Sequence, residues 1–357
     1  MKLHLNCILK ISYNCILGYL MKDSRKIYKF IRAHIGSTQK AYLSKAVFDF
    51  SNKPFVYKKN EKENNNFPAD FEGGLCISAD FEMAWAFRYS KRKVDPLKMA
   101  NKERENIPVL LKLFAKYNIP ITWATVGHLM LESCNKGDHN WMHRIPYFDD
   151  HWRFSSGDWF DDDPYSNYQK DSAWYAPDLM ELILKSDVKH EIGCHTFSHI
   201  DCSYKNCPPQ VLDDELTAWK KAASKWGVEL NSFVFPGGTA GNYEILKKHN
   251  VKIYRRNMNF DLAYPIIDQY GLLFLPSTSS FGKSYNWSAD YYIYRYKKMI
   301  DKAIKTKTIA HIWFHPSIDS WTISEVMPSV LIYAADLREA GKLWIGTMNS
   351  MANLLGN

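Results

Sequence analysis

From Gly73 onward, short apolar runs alternate with longer stretches whose apolar residues recur at helical spacing. Leu75-Cys76-Ile77-Ser78-Ala79 is an apolar strand that ends at Asp80-Phe81-Glu82. Asn106–Asn118 places Val109, Leu110, Leu113 and Phe114 on one helix face, with Pro108 early, where a helix tolerates it. Further strands are expected at Ile119–Val126, His190–Cys194, Ser232–Phe235, Val251–Tyr254, Leu272–Leu275, Thr308–Phe314 and Leu343–Gly346. Helices are expected at Pro177–Lys185, Pro208–Trp226, Tyr243–His249, Ala289–Lys305 and Ser324–Ala340. Strands that alternate with helices predict parallel β/α units, and about seven of them predict a closed or nearly closed barrel. Functional residues in such a barrel lie at the C-terminal ends of the strands. Residues 1–70 read as a helical extension followed by a linker rich in Lys, Asn and Glu over Ser51–Asp70. Residues 135–176, with many Asp, Trp, Tyr and His and little periodicity, predict a long insertion in a domain spanning 71–357.

The chain of 357 residues is long enough to bury a large core, and 46% hydrophobic with 24% charged residues is an ordinary globular balance. Aromatic content is high, with 12 Trp and 22 Tyr, which a large core explains. Trp141, Trp152, Trp159 and Trp174 in the insertion are candidates for stacking on sugars, with core packing as the equal alternative. The formal charge of +8 is concentrated in Lys22–Lys29, Lys58–Lys62 and Lys91–Lys93. No helix-turn-helix, zinc-finger or RNP pattern accompanies it, so nucleic acid is not the expected partner. The basic segments instead read as solvated surface or a weak membrane-facing patch. In residues 1–21, Asn6, Lys10, Ser12 and Asn14 break the apolar run short of a bilayer span, and no clean cleavage site follows. A buried or interfacial amphipathic helix is the reading. Seven scattered cysteines without a CxxC pair fit a reducing compartment. The expected location is cytoplasmic, with peripheral contact at the inner face of the membrane.

The candidate chemistry lies at strand ends. His195-Thr196-Phe197-Ser198-His199 follows a strand, and two imidazoles four apart share one face if the segment turns helical, so both can ligate one cation. In Asp80-Phe81-Glu82 both carboxylates project to one side of an extended segment, one for the metal and one free as a base. A His, His, carboxylate set suits catalytic zinc, and cobalt, manganese or nickel fit as well. His315 ends the strand Ile312-Trp313-Phe314 and faces the same mouth, where it can protonate a leaving amine. Phe233-Val234-Phe235-Pro236-Gly237-Gly238 is a strand and tight turn that lets backbone approach a ligand.

These segments, in this order over residues 73–350, resemble the NodB-homology polysaccharide deacetylases (carbohydrate esterase family four). His195-Thr196-Phe197-Ser198-His199 matches the family's H-[ST]-x-x-H motif. Ile119–Trp123, His190–Gly193 and Phe314-His315-Pro316 are similar to its flanking strands and last motif. The resemblance implies an irregular (β/α)7 barrel and metal-dependent removal of an N-acetyl group from an amino sugar, nucleotide-linked, lipid-linked or in an oligosaccharide. It implies Asp80 as base, Glu82, His195 and His199 as ligands of a divalent metal, and His315 as acid. With the acids spaced D-x-E, Asp80 is the alternative ligand. A backbone amide near Phe81–Met83 is the expected oxyanion donor. Val234 stands where the family carries an Arg that pairs with the base, and Arg255 or Arg256 is the candidate substitute. The acid that tunes the last His has no visible counterpart. Competing readings are a deformylase or cyclic amide or imide hydrolase, and an inactive carbohydrate-binding relative.

Overall fold

The computed structural model describes residues 34–50, 67–88, 94–144, 160–257, 262 and 264–356. The expected N-terminal amphipathic helix, the basic clusters, Trp152 and Trp159 lie outside them. The chain divides into two compact units, Met1–Lys53 and Pro54–Asn357. The described part of the first is essentially helix α1, Ser37–Phe50.

The second unit is built on one sheet. Its strands are β1 (Gly74–Phe81), β2 (Thr122–Thr125), β3 (Glu191–Cys194), β4 (Ser232–Val234), β5 (Ile253–Asn257), β6 (Ile266–Ile267), β7 (Leu273–Ser277), β8 (Ser279–Ser280), β9 (Ile309–Phe314) and β10 (Trp344–Gly346). The order is β6-β7-β5-β4-β3-β2-β1-β9-β8, parallel except for β6 against β7. β8 lies at one end of this order and β7 next to the other, inside the short β6, yet β7 and β8 are separated in sequence by Thr278 alone. Thr278 N–H donates to the His311 carbonyl (2.7 Å), and Thr278 Oγ1 accepts from His311 N–H (3.0 Å). That junction brings the sheet back on itself, so β1–β5, β7 with β8, and β9 form the staves of an irregular (β/α)7 barrel. β2 pairs only with Ser78–Phe81 in the upper half of β1, and β10 pairs with Gly74–Cys76 below it.

The period-two alternation of the strands separates two hydrophobic clusters. Leu75, Ile77, Ala79 and Phe81 face the helices, as do Trp123, Phe233, Tyr254, Ala310, Ile312 and Phe314. The interior cluster takes the residues between them: Cys76, Ala124, Val234, Ile253, Leu273, Leu275 and Ile309. Helix α8 (Met348–Leu354) closes it with Met348, Met351 and Ala352. Glu191 accepts from Thr122 Oγ1 (2.7 Å) and from the Asn349 amide (3.0 Å), which ties α8 to β2 and β3. Continuing the interior alternation upward leads from Cys76 to Ser78 and Asp80, from Ile253 to Arg255, and from Ile309 to His311, Trp313 and His315. The upper interior is therefore polar.

The outer helices are α2 (Pro96–Lys116), α3 (Pro177–Leu184), α4 (Pro209–Ser224), α5 (Tyr243–Lys248), α6 (Ala289–Lys305) and α7 (Met327–Glu339). Helix α2 starts earlier than the periodicity of its second half indicates. Asp95 caps it, accepting from Leu97 N–H (2.9 Å) and Lys98 N–H (3.3 Å), with Pro96 in the first turn. Pro108 therefore lies inside the helix, contrary to expectation, and the helix continues through it because Ile107, Leu110, Leu111 and Phe114 are buried on its inner face. Trp85, Trp123, Trp219 and Phe114 are fully buried, each worth roughly 2–3 kcal/mol.

Candidate metal and acid–base site

The segment after β3 does not become a helix. Thr196 and His199 both have positive φ (58° and 59°), and the chain makes a strained turn. Such conformations cost about 1–3 kcal/mol each for non-glycine residues. Glu215 of α4, buried beneath the turn, holds it: Oε2 accepts from Phe197 N–H and Ser198 N–H (2.8 Å each), and Oε1 from Ser198 Oγ–H (2.6 Å). Burial pushes the Glu215 carboxyl up, against the lowering effect of these donors. Nothing in the sequence pattern marked Glu215. Glu215→Ala removes all three bonds and leaves two amides and a hydroxyl to find other partners. The expected cost is about 3 kcal/mol, read as a lower urea midpoint with the m-value unchanged.

The turn brings the two imidazoles together by a route other than helical spacing, with ring centroids 5.0 Å apart. His195 Nε2 lies 3.1 Å and His199 Nε2 2.9 Å from Glu82 Oε2. Glu82, His195 and His199 are all buried. His195 Nδ1 is 2.8 Å from the Val234 carbonyl, which can only accept, so Nδ1 carries the proton and Nε2 presents a bare lone pair in the neutral ring. With that nitrogen 3.1 Å from a carboxylate oxygen, the contact is satisfied either by a second ring proton or by a metal ion shared between the two. The donor set therefore fits a divalent metal, with the second nitrogen of His195 oriented by a backbone carbonyl as metal-bound histidines commonly are. The fold groups Glu82, not Asp80, with both imidazoles.

Asp80 is held differently. Arg255 Nη2 donates to Asp80 Oδ2 (2.6 Å) and Arg255 Nη1 to Ser78 Oγ (2.8 Å). The guanidinium also lies 4.9 Å from the Trp313 ring, and Ser78 Oγ is 2.9 Å from His311 Nε2. Asp80 Oδ1 has no hydrogen-bond partner although buried. Val234 and Arg255 are register partners on β4 and β5, so the guanidinium arrives at the same height one stave over. Arg256 is exposed and reaches Tyr243 Oη instead (3.4 Å).

His315 Nε2 stands 3.2 Å from Glu82 Oε1, with its side chain 40% exposed. Burial opposes its charge, but Glu82, by charge and hydrogen bond, raises its pKa to about 9. Burial likewise raises Glu82, yet His315, His199 and His195 outweigh it and hold Glu82 well below the usual carboxylate range. Glu103 of α2, fully buried and also missed from the sequence, adds to the field at His315. Burial and then the Glu82 charge push Glu103 well above the ordinary carboxylate range. Its Oε2 accepts the Met83 amide (3.1 Å), so within Phe81–Met83, where an oxyanion donor was expected, this amide is already engaged. Of the insertion's tryptophans, Trp174 packs edge-on against Trp85 with ring centroids 5.4 Å apart, while Trp141 is exposed. Packing therefore accounts for Trp174.

Residues 95–254 match the family model for polysaccharide deacetylases. That span holds His195 and His199, while Asp80, Glu82 and His315 lie outside it. No curated protein matches the chain. Among solved structures, it resembles two proteins named as polysaccharide deacetylases. The one from Pseudomonas aeruginosa PAO1 has a TM-score of 0.57 at 12% identity, covering 85% of this chain and 97% of that one. The one from Mycobacterium smegmatis has a TM-score of 0.56 at 11% identity, covering 81% and 92%. Puue allantoinase is similar too, with a TM-score of 0.56 at 12% identity, covering 86% and 97%. These likenesses establish the shared fold, and over residues 95–254 the chain is similar to the polysaccharide deacetylases, hydrolases that act on carbon–nitrogen bonds.

Proposed function

We propose that this protein is a metal-dependent deacetylase that removes the N-acetyl group from an amino sugar of a polysaccharide or its precursor. The supporting observation is the separation of two carboxylates by environment: Glu82 faces two imidazole nitrogens, while Asp80 faces a guanidinium and keeps one oxygen bare. Glu82, His195 and His199 would hold the divalent ion, with zinc the first candidate and cobalt, manganese or nickel also suited to the set. A cation there would polarise the amide carbonyl and make water more acidic.

The chain's own groups supply the proton transfers. Asp80 Oδ1 accepts a proton from the attacking water as its oxygen bonds to the carbonyl carbon. Arg255 donates to Oδ2 and so aims the carboxylate. His315, protonated, then donates to the sugar nitrogen as the C–N bond breaks, and acetate and a free amine leave. Free thiols at all five described cysteines suit a cytoplasmic setting for this step, with a nucleotide- or lipid-linked sugar as substrate. Among the described residues no helix is long and apolar enough to cross a membrane.

The test is acetate release from N-acetylated sugar nucleotides and oligosaccharides, with formate and ring-opening of cyclic ureides followed in parallel. Asp80→Asn and His315→Ala are each expected to lower the deacylation rate about 10²–10⁴-fold. Wild-type rates in both variants would remove their assigned roles. Formate or ureide products without acetate would move the protein to a different amide.

A further inference from the structure

Outside the acid–base site, the described residues bring together a second group of metal-ligating side chains: His128, Cys134, His139 and Asp163. His128 lies in a short 3₁₀ turn, Gly127–Met130, just after β2. Cys134 follows that turn, and His139 and Asp163 come from the insertion. All four are buried, and their donor atoms lie within 4.8 Å of one another. Asp163 Oδ2 is 3.2 Å from His128 Nε2, 3.8 Å from His139 Nε2 and 3.3 Å from Cys134 Sγ. A tetrahedral zinc with bonds of about 2.0–2.3 Å has ligand–ligand edges of about 3.3–3.8 Å. The three separations from Asp163 Oδ2 lie close to those edges, and every other pair of donor atoms is within 4.8 Å.

The groups behind these atoms orient them as the shell around a metal does. His128 Nδ1 faces the Trp174 carbonyl (3.4 Å), which directs its proton outward and leaves Nε2 as a lone pair. Neither His128 Nε2 nor His139 Nε2 makes a hydrogen bond. Asp163 Oδ1 accepts from Tyr165 N–H (3.0 Å) and Tyr175 Oη–H (3.1 Å), leaving Oδ2 turned to the nitrogens and sulfur. Aromatic rings wall the site: Trp85, Tyr175 and Phe197 around His128, and Phe160 with Phe197 around His139. A dry enclosure of this kind makes uncompensated polar atoms costly.

We propose that His128, Cys134, His139 and Asp163 bind a structural zinc ion that pins the insertion to the barrel mouth. The described part of the insertion before α3 has little regular structure beyond the single bridge Ser133↔Asn167, so cross-linking through a closed four-ligand site supplies order that its backbone does not. Binding releases the Cys134 thiol proton to solvent and forms the sulfur–zinc bond. The site also buttresses the first one, because His128 N–H donates to the carbonyl of Phe197, inside the turn that carries His195 and His199 (2.9 Å).

The experiment is zinc analysis and cobalt titration of the full chain, wild type and His195→Ala/His199→Ala. The double variant is expected to retain about one zinc per chain and, reloaded with Co²⁺, to show a thiolate-to-cobalt charge-transfer band. Adding Cys134→Ser to it should abolish both. The cobalt spectrum of the double variant decides the matter even if the Cys134 variant fails to fold. A double variant with no tightly held zinc and no thiolate band would overturn the proposal, leaving a buried His–Asp ion pair, while the catalytic reading would stand on its own zinc. Full retention of the wild-type zinc together with the band would support this site and count against the His195 one.

Discussion

His195→Ala is expected to lower kcat/KM for deacylation by at least about 10³-fold and to strip the ion from the acid–base site. Both effects follow from position. His195 Nε2 and His199 Nε2 flank the same oxygen of Glu82, so removing one imidazole leaves the ion with one nitrogen and one carboxylate. Glu82 then loses one of the groups that keep it ionised in a buried setting and retains His199 and His315. His195 donates to a backbone carbonyl, that of Val234, so no side-chain change elsewhere imitates the loss. Circular dichroism and the urea midpoint should show a folded protein, since the rest of the barrel cluster is untouched. A variant that hydrolyses substrate and holds its ion as the wild type does would remove His195 from the site.

Much of this centre was legible before any coordinates. The period-two rule put Asp80 and Glu82 on one side of an extended segment, and the strand-end rule put them at one mouth with the His195–His199 pair and His315. The pairing of His195 with His199 was also readable, though for the wrong reason. A helix was expected to align them, whereas a turn with two positive-φ residues does so. That turn depends on Glu215, seventeen or more residues away on α4, and a single buried acid on an amphipathic helix carries no local signature. Glu103 escaped notice likewise, because a helix pattern ranks it as surface until packing against Met83 buries it. The early Pro108 misled for a simpler reason: the apolar stripe before it is weak, and only the Asp95 cap marks where α2 begins.

Arg255→Val is expected to cut the deacylation rate at least about 10²-fold and to cost about 3–5 kcal/mol of stability, since it strands a buried carboxylate without its partner. Restoring a guanidinium at Val234 is the sharper experiment. Val234 and Arg255 face each other in register on neighbouring parallel strands, about 4.8 Å apart. Both point inward, and the space opened by Arg255→Val is the space a longer side chain at 234 would fill. Val234→Arg/Arg255→Val therefore keeps volume and charge while moving the guanidinium's origin by one strand. It is expected to recover at least about tenfold of the lost rate and most of the stability, because what Asp80 requires is a fixed cation at Oδ2 and not a particular backbone position. His311 separates this from a general loss of packing. Burial, and then the Arg255 charge, keep it neutral with a pKa near 3, and Ser78 Oγ joins it to the guanidinium. Removing the Arg255 charge should let the His311 imidazole titrate at higher pH by NMR, and the double variant should bring it back down. An Arg255→Val protein with unchanged rate, stability and His311 titration would mean that Asp80 is not positioned by this guanidinium at all.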